Sequence, residues 1–172
     1  MSLRIKSTTH SDELVAGVAK LLSDTTRRHT DVQIKVGGKV FHSHKLILAL
    51  KSPYFDQKLF PSSSSSSSSS AAAAAAAAAS NKQIVLNDIT ADVFEKVLEF
   101  MYTGEMQLSD RNVEHILRAA DLMQLTELIT FCVGYLTDSL SSATCPRYWK
   151  LAEEMNLATL ASACRRLSVK QS

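Results

Sequence analysis

Asp31-Val32-Gln33-Ile34-Lys35-Val36-Gly37-Gly38-Lys39-Val40-Phe41-His42-Ser43-His44-Lys45-Leu46-Ile47-Leu48-Ala49-Leu50-Lys51-Ser52-Pro53-Tyr54-Phe55 is the stretch that sets the architecture of this chain. Val32, Ile34 and Val36 alternate with polar neighbours, as a strand with one buried face requires. Gly37-Gly38 supply the positive φ of a primed two-residue turn, and Val40-Phe41 begin the return strand. The apolar run from Leu46 to Leu50 then reads as a short helix that ends before Pro53, because a proline turns the residue ahead of it away from helical geometry. A hairpin that leads directly into a helix is a structural unit, and it carries no obvious catalytic group.

The same residues resemble the opening of a BTB (POZ) domain, whose signature runs Asp-Val, Gly-Gly, Phe-x-x-His-Lys, Leu-Ala and Ser-Pro-Tyr-Phe. Here these fall at Asp31-Val32, Gly37-Gly38, Phe41-x-x-His44-Lys45, Leu48-Ala49 and Ser52 to Phe55, all in register. The resemblance implies an α/β (α+β) fold, a small mixed sheet with a cluster of about five helices, and a role in protein–protein interaction rather than catalysis.

Upstream, Ser11 is placed to cap a helix whose first turn carries Asp12 and Glu13 and whose apolar stripe is Leu14, Val18, Leu21 and Leu22. Such a stripe most simply packs on its own domain. The helix ahead of the first strand lies at the subunit interface in BTB dimers, so the resemblance assigns these four residues to dimerisation. It also matches Asp31 and Lys45 to a charged pair near that interface; from the residues alone, a buried pair and two separate surface charges remain equal alternatives.

Downstream, Pro61 to Ser80 holds nine serines followed by nine alanines. No side chain in it could anchor a core, so a disordered surface insert is expected over residues 61–80, with the alanine run too short to be more than a marginal helix. Gln83 to Asp88 then reads as a strand, and Thr90 or Asp88 caps a helix bearing Val93, Phe94, Val97, Leu98 and Met101, closed by Thr103-Gly104. This region resembles the third strand and third helix of the family. Met106 to Leu108 is expected to add a strand. Asn112 to Met123 forms a helix with Val113, Ile116, Leu117 and Ala120 on one side, and the next carries Leu125, Leu128, Ile129, Cys132, Val133, Leu136 and Leu140. These match the family's fourth and fifth helices and complete a domain over residues 11–140, after a flexible N-terminus over 1–10.

Residues 141–172 read as a C-terminal helical hairpin, with Thr144 or Cys145 as cap, Pro146 in the first turn, and Asn156-Leu157 as the turn between helices. Its sequence resembles the start of the BACK region of kelch-like adaptors. The rest of such a region and a substrate-recruiting propeller are expected to be missing, as in a fragment, a truncated isoform or a competitor for dimer partners.

Composition points the same way. The 172 residues are 45% hydrophobic, enough for one ordinary core and an appendage. Neither a signal peptide nor a run of about 20 apolar residues is visible, so a cytoplasmic or nuclear protein with no membrane partner is expected. Net charge is +2, with a mild excess of positive charge before the insert and of negative charge after it, too dispersed to argue for nucleic acid. Cys132, Cys145 and Cys164 are odd in number and widely spaced, which predicts buried free thiols rather than a disulfide framework or zinc ribbon.

His42 and His44 share a strand face but lack further ligands of the kind structural zinc wants, so His44 is expected to pack or hydrogen-bond at the helix start, and no metal or cofactor is assigned. No Gly-x-Ser-x-Gly, Walker loop or dinucleotide fingerprint occurs, and no enzyme is read here. Kelch-like relatives bind the N-terminal domain of cullin-3 through their fourth and fifth helices and the loop before the third strand. The resemblance therefore implies a homodimerising adaptor, paired with itself or a related BTB chain, that brings an unknown substrate to a ubiquitin ligase. Tyr54, Leu59 and Phe60 are the candidate cullin contacts. The family's loop carries an apolar residue two before a glutamate; here the serine and alanine tracts stand in its place. The alternatives are the oligomerisation module of a transcriptional regulator that recruits corepressors, and a pure oligomerisation module.

Overall fold

A computed structural model describes residues 10–23, 29–61 and 82–170. The expected flexible N-terminus, apart from His10, and the serine and alanine insert, apart from Pro61, lie outside the described residues. The chain divides into two compact units, residues 1–106 and 107–172.

The first unit is built on the expected hairpin. Strands β1 (Val32–Val36) and β2 (Lys39–Ser43) pair antiparallel from Val36↔Lys39 outward, and Gly37 and Gly38 make the turn at φ of 58° and 121°. Strand β3 (Lys82–Leu86) pairs parallel to β1, so the sheet is mixed, in the order β2-β1-β3. β1 is central and its alternation is realised in full: Val32, Ile34 and Val36 are buried while Lys35 is exposed.

Among the described residues, four helices accompany the sheet in this unit. α1 (His10–Ser23) begins one residue before Ser11, so Ser11 stands inside the helix rather than capping it. α2 (Lys45–Lys51) ends at Ser52, whose hydroxyl accepts from the Phe55 N–H and so caps α3 (Pro53–Leu59). Pro53 takes the first helical position, where its missing N–H has no intrahelical bond to lose. α4 (Ala91–Thr103) buries Phe94, Val97, Leu98, Phe100, Met101 and Tyr102, and the Phe94 ring meets Phe41 of β2 edge-on at 5.0 Å. Gly104 closes it in the left-handed region at φ 75°, its N–H on the Phe100 carbonyl.

The strand expected at Met106 to Leu108 does not form. A strand needs a neighbour for its backbone groups, and this run pairs with none among the described residues.

The second unit comprises α5 (Val113–Leu122), α6 (Thr126–Asp138), α7 (Cys145–Glu154) and α8 (Ala158–Lys170). Val113, Ile116, Leu117 and Ala120 of α5 are buried, as are Leu128, Cys132 and Leu136 of α6, as their spacing predicts. α5 and α7 end alike. Gln124 (φ 56°) and Asn156 (φ 55°) turn left-handed, and Leu125 and Leu157 donate back to Ala120 and Ala152, both at 2.8 Å. That is the six-to-one closure of a Schellman motif. The expected hairpin of α7 and α8 falls in the same compact unit as α5 and α6. Cys132 and Cys164 are buried free thiols, but Cys145 is only half-buried, because it opens its helix instead of facing a core.

Candidate interaction surface

In the first unit, the start of α2 is held by two polar contacts. The Lys45 backbone N–H donates to Asp31 Oδ1 at 2.7 Å, which places a carboxylate at a helix N-terminus, where unpaired amides and the helix dipole favour it. The two residues expected as a charged pair are thus joined through the backbone of one of them, with Lys45 buried and Asp31 exposed. From α4, Tyr102 Oη accepts the His44 N–H at 3.1 Å and lies 2.7 Å from His44 Nδ1. Burial pushes the Tyr102 hydroxyl pKa up, and the hydrogen bond from His44 partly opposes it. His44 therefore does bond at the helix start.

Held in this way, α2 has little freedom in which side chains it shows. Leu48 is fully buried, while Leu46 and Leu50, one turn apart, are 65% and 77% exposed. Alongside, Leu14 and Val15 of α1 are 55% and 51% exposed. Leu14, Val15, Val18, Ile47, Leu50 and Met101 line one open apolar groove of about 240 Å³. Exposed leucines are ordinary singly; several around one groove mark a surface that binds something.

The stripe predicted along α1 is divided. Leu14 and Val18 face this groove, whereas Leu21 and Leu22, half-buried, line a second hollow of about 450 Å³ with Val40, His42 and Leu98. Val15, Leu46, Ile47 and Leu50 were not among the expected surface residues. The signal for them was present: Leu46-Ile47-Leu48-Ala49-Leu50 is apolar all round, and a seven-residue helix with one face in a core must show the rest.

Of the three candidate cullin contacts, Phe60 is 49% exposed just past α3, and Tyr54 is half-buried with Lys58 Nζ 4.9 Å above its ring. Leu59 is a correction: it is buried, one turn after the buried Phe55 on the inward face of α3, so it is not available to a partner.

Comparison with known proteins places these features in a family. The model of the BTB/POZ domain matches residues 22–140. Kelch-like protein 41b of Danio rerio is 30% identical over 149 residues, 87% of this chain and 22% of that protein. Kelch-like protein 21 of Homo sapiens is 29% identical over 162 residues, 94% of this chain and 25% of that protein. Among solved structures, the BTB domain of human gigaxonin matches with a TM-score of 0.62 at 24% identity, covering 79% of this chain and 98% of that one. The chain spans about a quarter of the length of the curated relatives it matches.

Proposed function

Since the chain belongs to the BTB/POZ domain family, in its kelch-like branch, we propose that it is a self-associating adaptor that docks on the N-terminal domain of cullin-3 and brings substrates to a ubiquitin ligase. It is a binding module rather than an enzyme. The observation that carries self-association is the groove of α1, α2 and α4, with large apolar side chains left in water around it. A second copy offering the same patch is the simplest cover, since a twofold axis makes one patch complementary to itself.

The cullin half rests on kinship with kelch-like proteins over most of this chain and on the exposed Phe60 ring. Aromatic side chains of this kind often dominate an interface once buried. A cytoplasmic or nuclear location belongs to the same proposal, and imaging of a tagged chain tests it.

The deciding experiment is calorimetric titration of the purified chain with the N-terminal domain of cullin-3, paired with sedimentation velocity of the chain alone. The proposal expects a dimer and sub-micromolar binding that Phe60→Ala weakens at least about tenfold, the loss of roughly one interfacial aromatic anchor. A folded chain that gives no heat at two temperatures overturns the cullin assignment. One that sediments as a monomer at all concentrations overturns self-association.

A further inference from the structure

Two thiols of the second unit stand together. Cys145 opens α7 and is half-buried; Cys164 lies within α8 and is fully buried. Cys145 Sγ reaches to 3.5 Å from the Cys164 carbonyl oxygen, which sets its sulfur against the backbone that carries the second thiol. Burial, and then the neighbouring Cys145 sulfur, push the Cys164 thiol up to about 11. The remaining cysteine, Cys132 of α6, is fully buried, and burial raises it to about 12.

We propose that Cys145 and Cys164 form an oxidative modification site, closing to an intramolecular disulfide that ties the first turn of α7 to α8. The oxidant is a peroxide, and partial exposure makes Cys145 the sulfur it reaches. The Cys145 thiolate attacks one oxygen of hydrogen peroxide, the O–O bond breaks, and the departing hydroxide takes up a proton as water. Cys145 is left as a sulfenic acid. The Cys164 thiolate then attacks that sulfur, the S–O bond breaks, and a second water departs. Two thiols have lost two electrons and two protons, and one peroxide has become two waters.

A neighbouring thiol within a packed hairpin acts at high effective concentration, so closure outruns both further oxidation and coupling between chains. Cys164 is scarcely ionised at neutral pH, so closure quickens as the pH rises, because the thiolate is the attacking form. Cys132, more deeply withheld from ionisation, stays reduced and serves as the internal reference.

The test is treatment of the full chain with a small excess of hydrogen peroxide, alkylation of remaining thiols, and mass spectrometry of the intact and digested protein. The expected result is the loss of two hydrogens per chain, one alkylated cysteine at position 132, and a peptide linking Cys145 to Cys164 that dithiothreitol separates. Cys132→Ser should leave the linkage intact. Cys145→Ser, at a half-exposed position that tolerates a polar atom, should abolish it. Sulfinic acid accumulating on Cys145 while Cys164 remains open to alkylation, or disulfides only between chains, overturns the proposal.

Discussion

Truncating one exposed leucine should separate association from folding. Leu50 is 77% exposed on α2 and lines the apolar groove. Fully burying a leucine gains about 1.5–3 kcal/mol, so a partner that covers the exposed three-quarters gains about 1–2 kcal/mol from it. In a twofold dimer each copy contributes that once, and Leu50→Ala removes it twice, about 2–4 kcal/mol in all. At 1.4 kcal/mol per decade, the dimer Kd should rise roughly 30- to 700-fold. Folding of each protomer should be little affected, because the side chain is mostly in water already and alanine is the best helix former. Sedimentation equilibrium over a concentration series gives the Kd, and a thermal melt by circular dichroism verifies the fold. Val85→Ala is the matched control, since Val85 is 51% exposed on β3 and does not line the groove. A folded Leu50→Ala chain whose Kd stays within roughly threefold of the parent would refute the assignment of this groove to self-association.

Three further outcomes follow from the same structure. Asp31→Ala removes the acceptor of the Lys45 N–H at the start of α2 and should lower stability by about 1 kcal/mol in urea titrations, with Asp31→Asn recovering part of it. Gln124→Gly relieves a side chain held left-handed at φ 56° and should raise stability by about 0.5–1 kcal/mol; a loss instead would mean the strain is absent. Burial raises Cys132 from its ordinary 9.0 to about 12, so in alkali the unfolded chain releases a proton that the folded chain keeps. Stability is therefore full below pH 9 and falls toward about 12, by about 1.4 kcal/mol per pH unit for this group. Tyr102, also raised by burial, adds to the fall above pH 10. Under reducing conditions Cys132→Ala should flatten the lower part of that slope, and an unchanged slope would point to other groups.

Much of the fold could be read from the sequence, and the reason is local. A strand that alternates, a Gly-Gly turn and a Thr-Gly helix end each state their own geometry within a few residues, and the structure follows at Val32–Val36, Gly37-Gly38 and Gly104. The stripes of α5 and α6 were equally plain, because helices of ten and thirteen residues give the 3.6-residue period room to repeat. Where the outcome depended on a distant neighbour, sequence reasoning fell short. Met106 to Leu108 had strand character but found no strand to pair with among the described residues. Leu59 and Phe60, adjacent and both apolar, parted company because the inward face of α3 takes one and not the other. Asp31 and Lys45 meet through the carboxylate of one and the backbone amide of the other, which no pattern of charges announces. Ile47 and Leu50 in the groove escaped because periodicity is silent over the two turns of α2, where Leu46 to Leu50 are apolar on every side.

The sheet's register has a kinetic consequence. β1 meets β2 across a two-residue turn but meets β3 at positions fifty residues later, from Val32↔Lys82 to Val36↔Leu86. Hairpins close in about 1–10 μs, whereas a contact of long sequence separation waits on a much larger loss of chain entropy, so docking of β3 is the slow step in assembling this sheet. The delay depends only weakly on how much chain lies between. Removing the nine serines and nine alanines would shorten the separation from fifty to thirty-two residues and change the closure term by about 0.4 kcal/mol, roughly a factor of two in rate. A homopolymer tract of this size can therefore lengthen or shrink over evolutionary time while changing the rate of sheet closure by only about twofold.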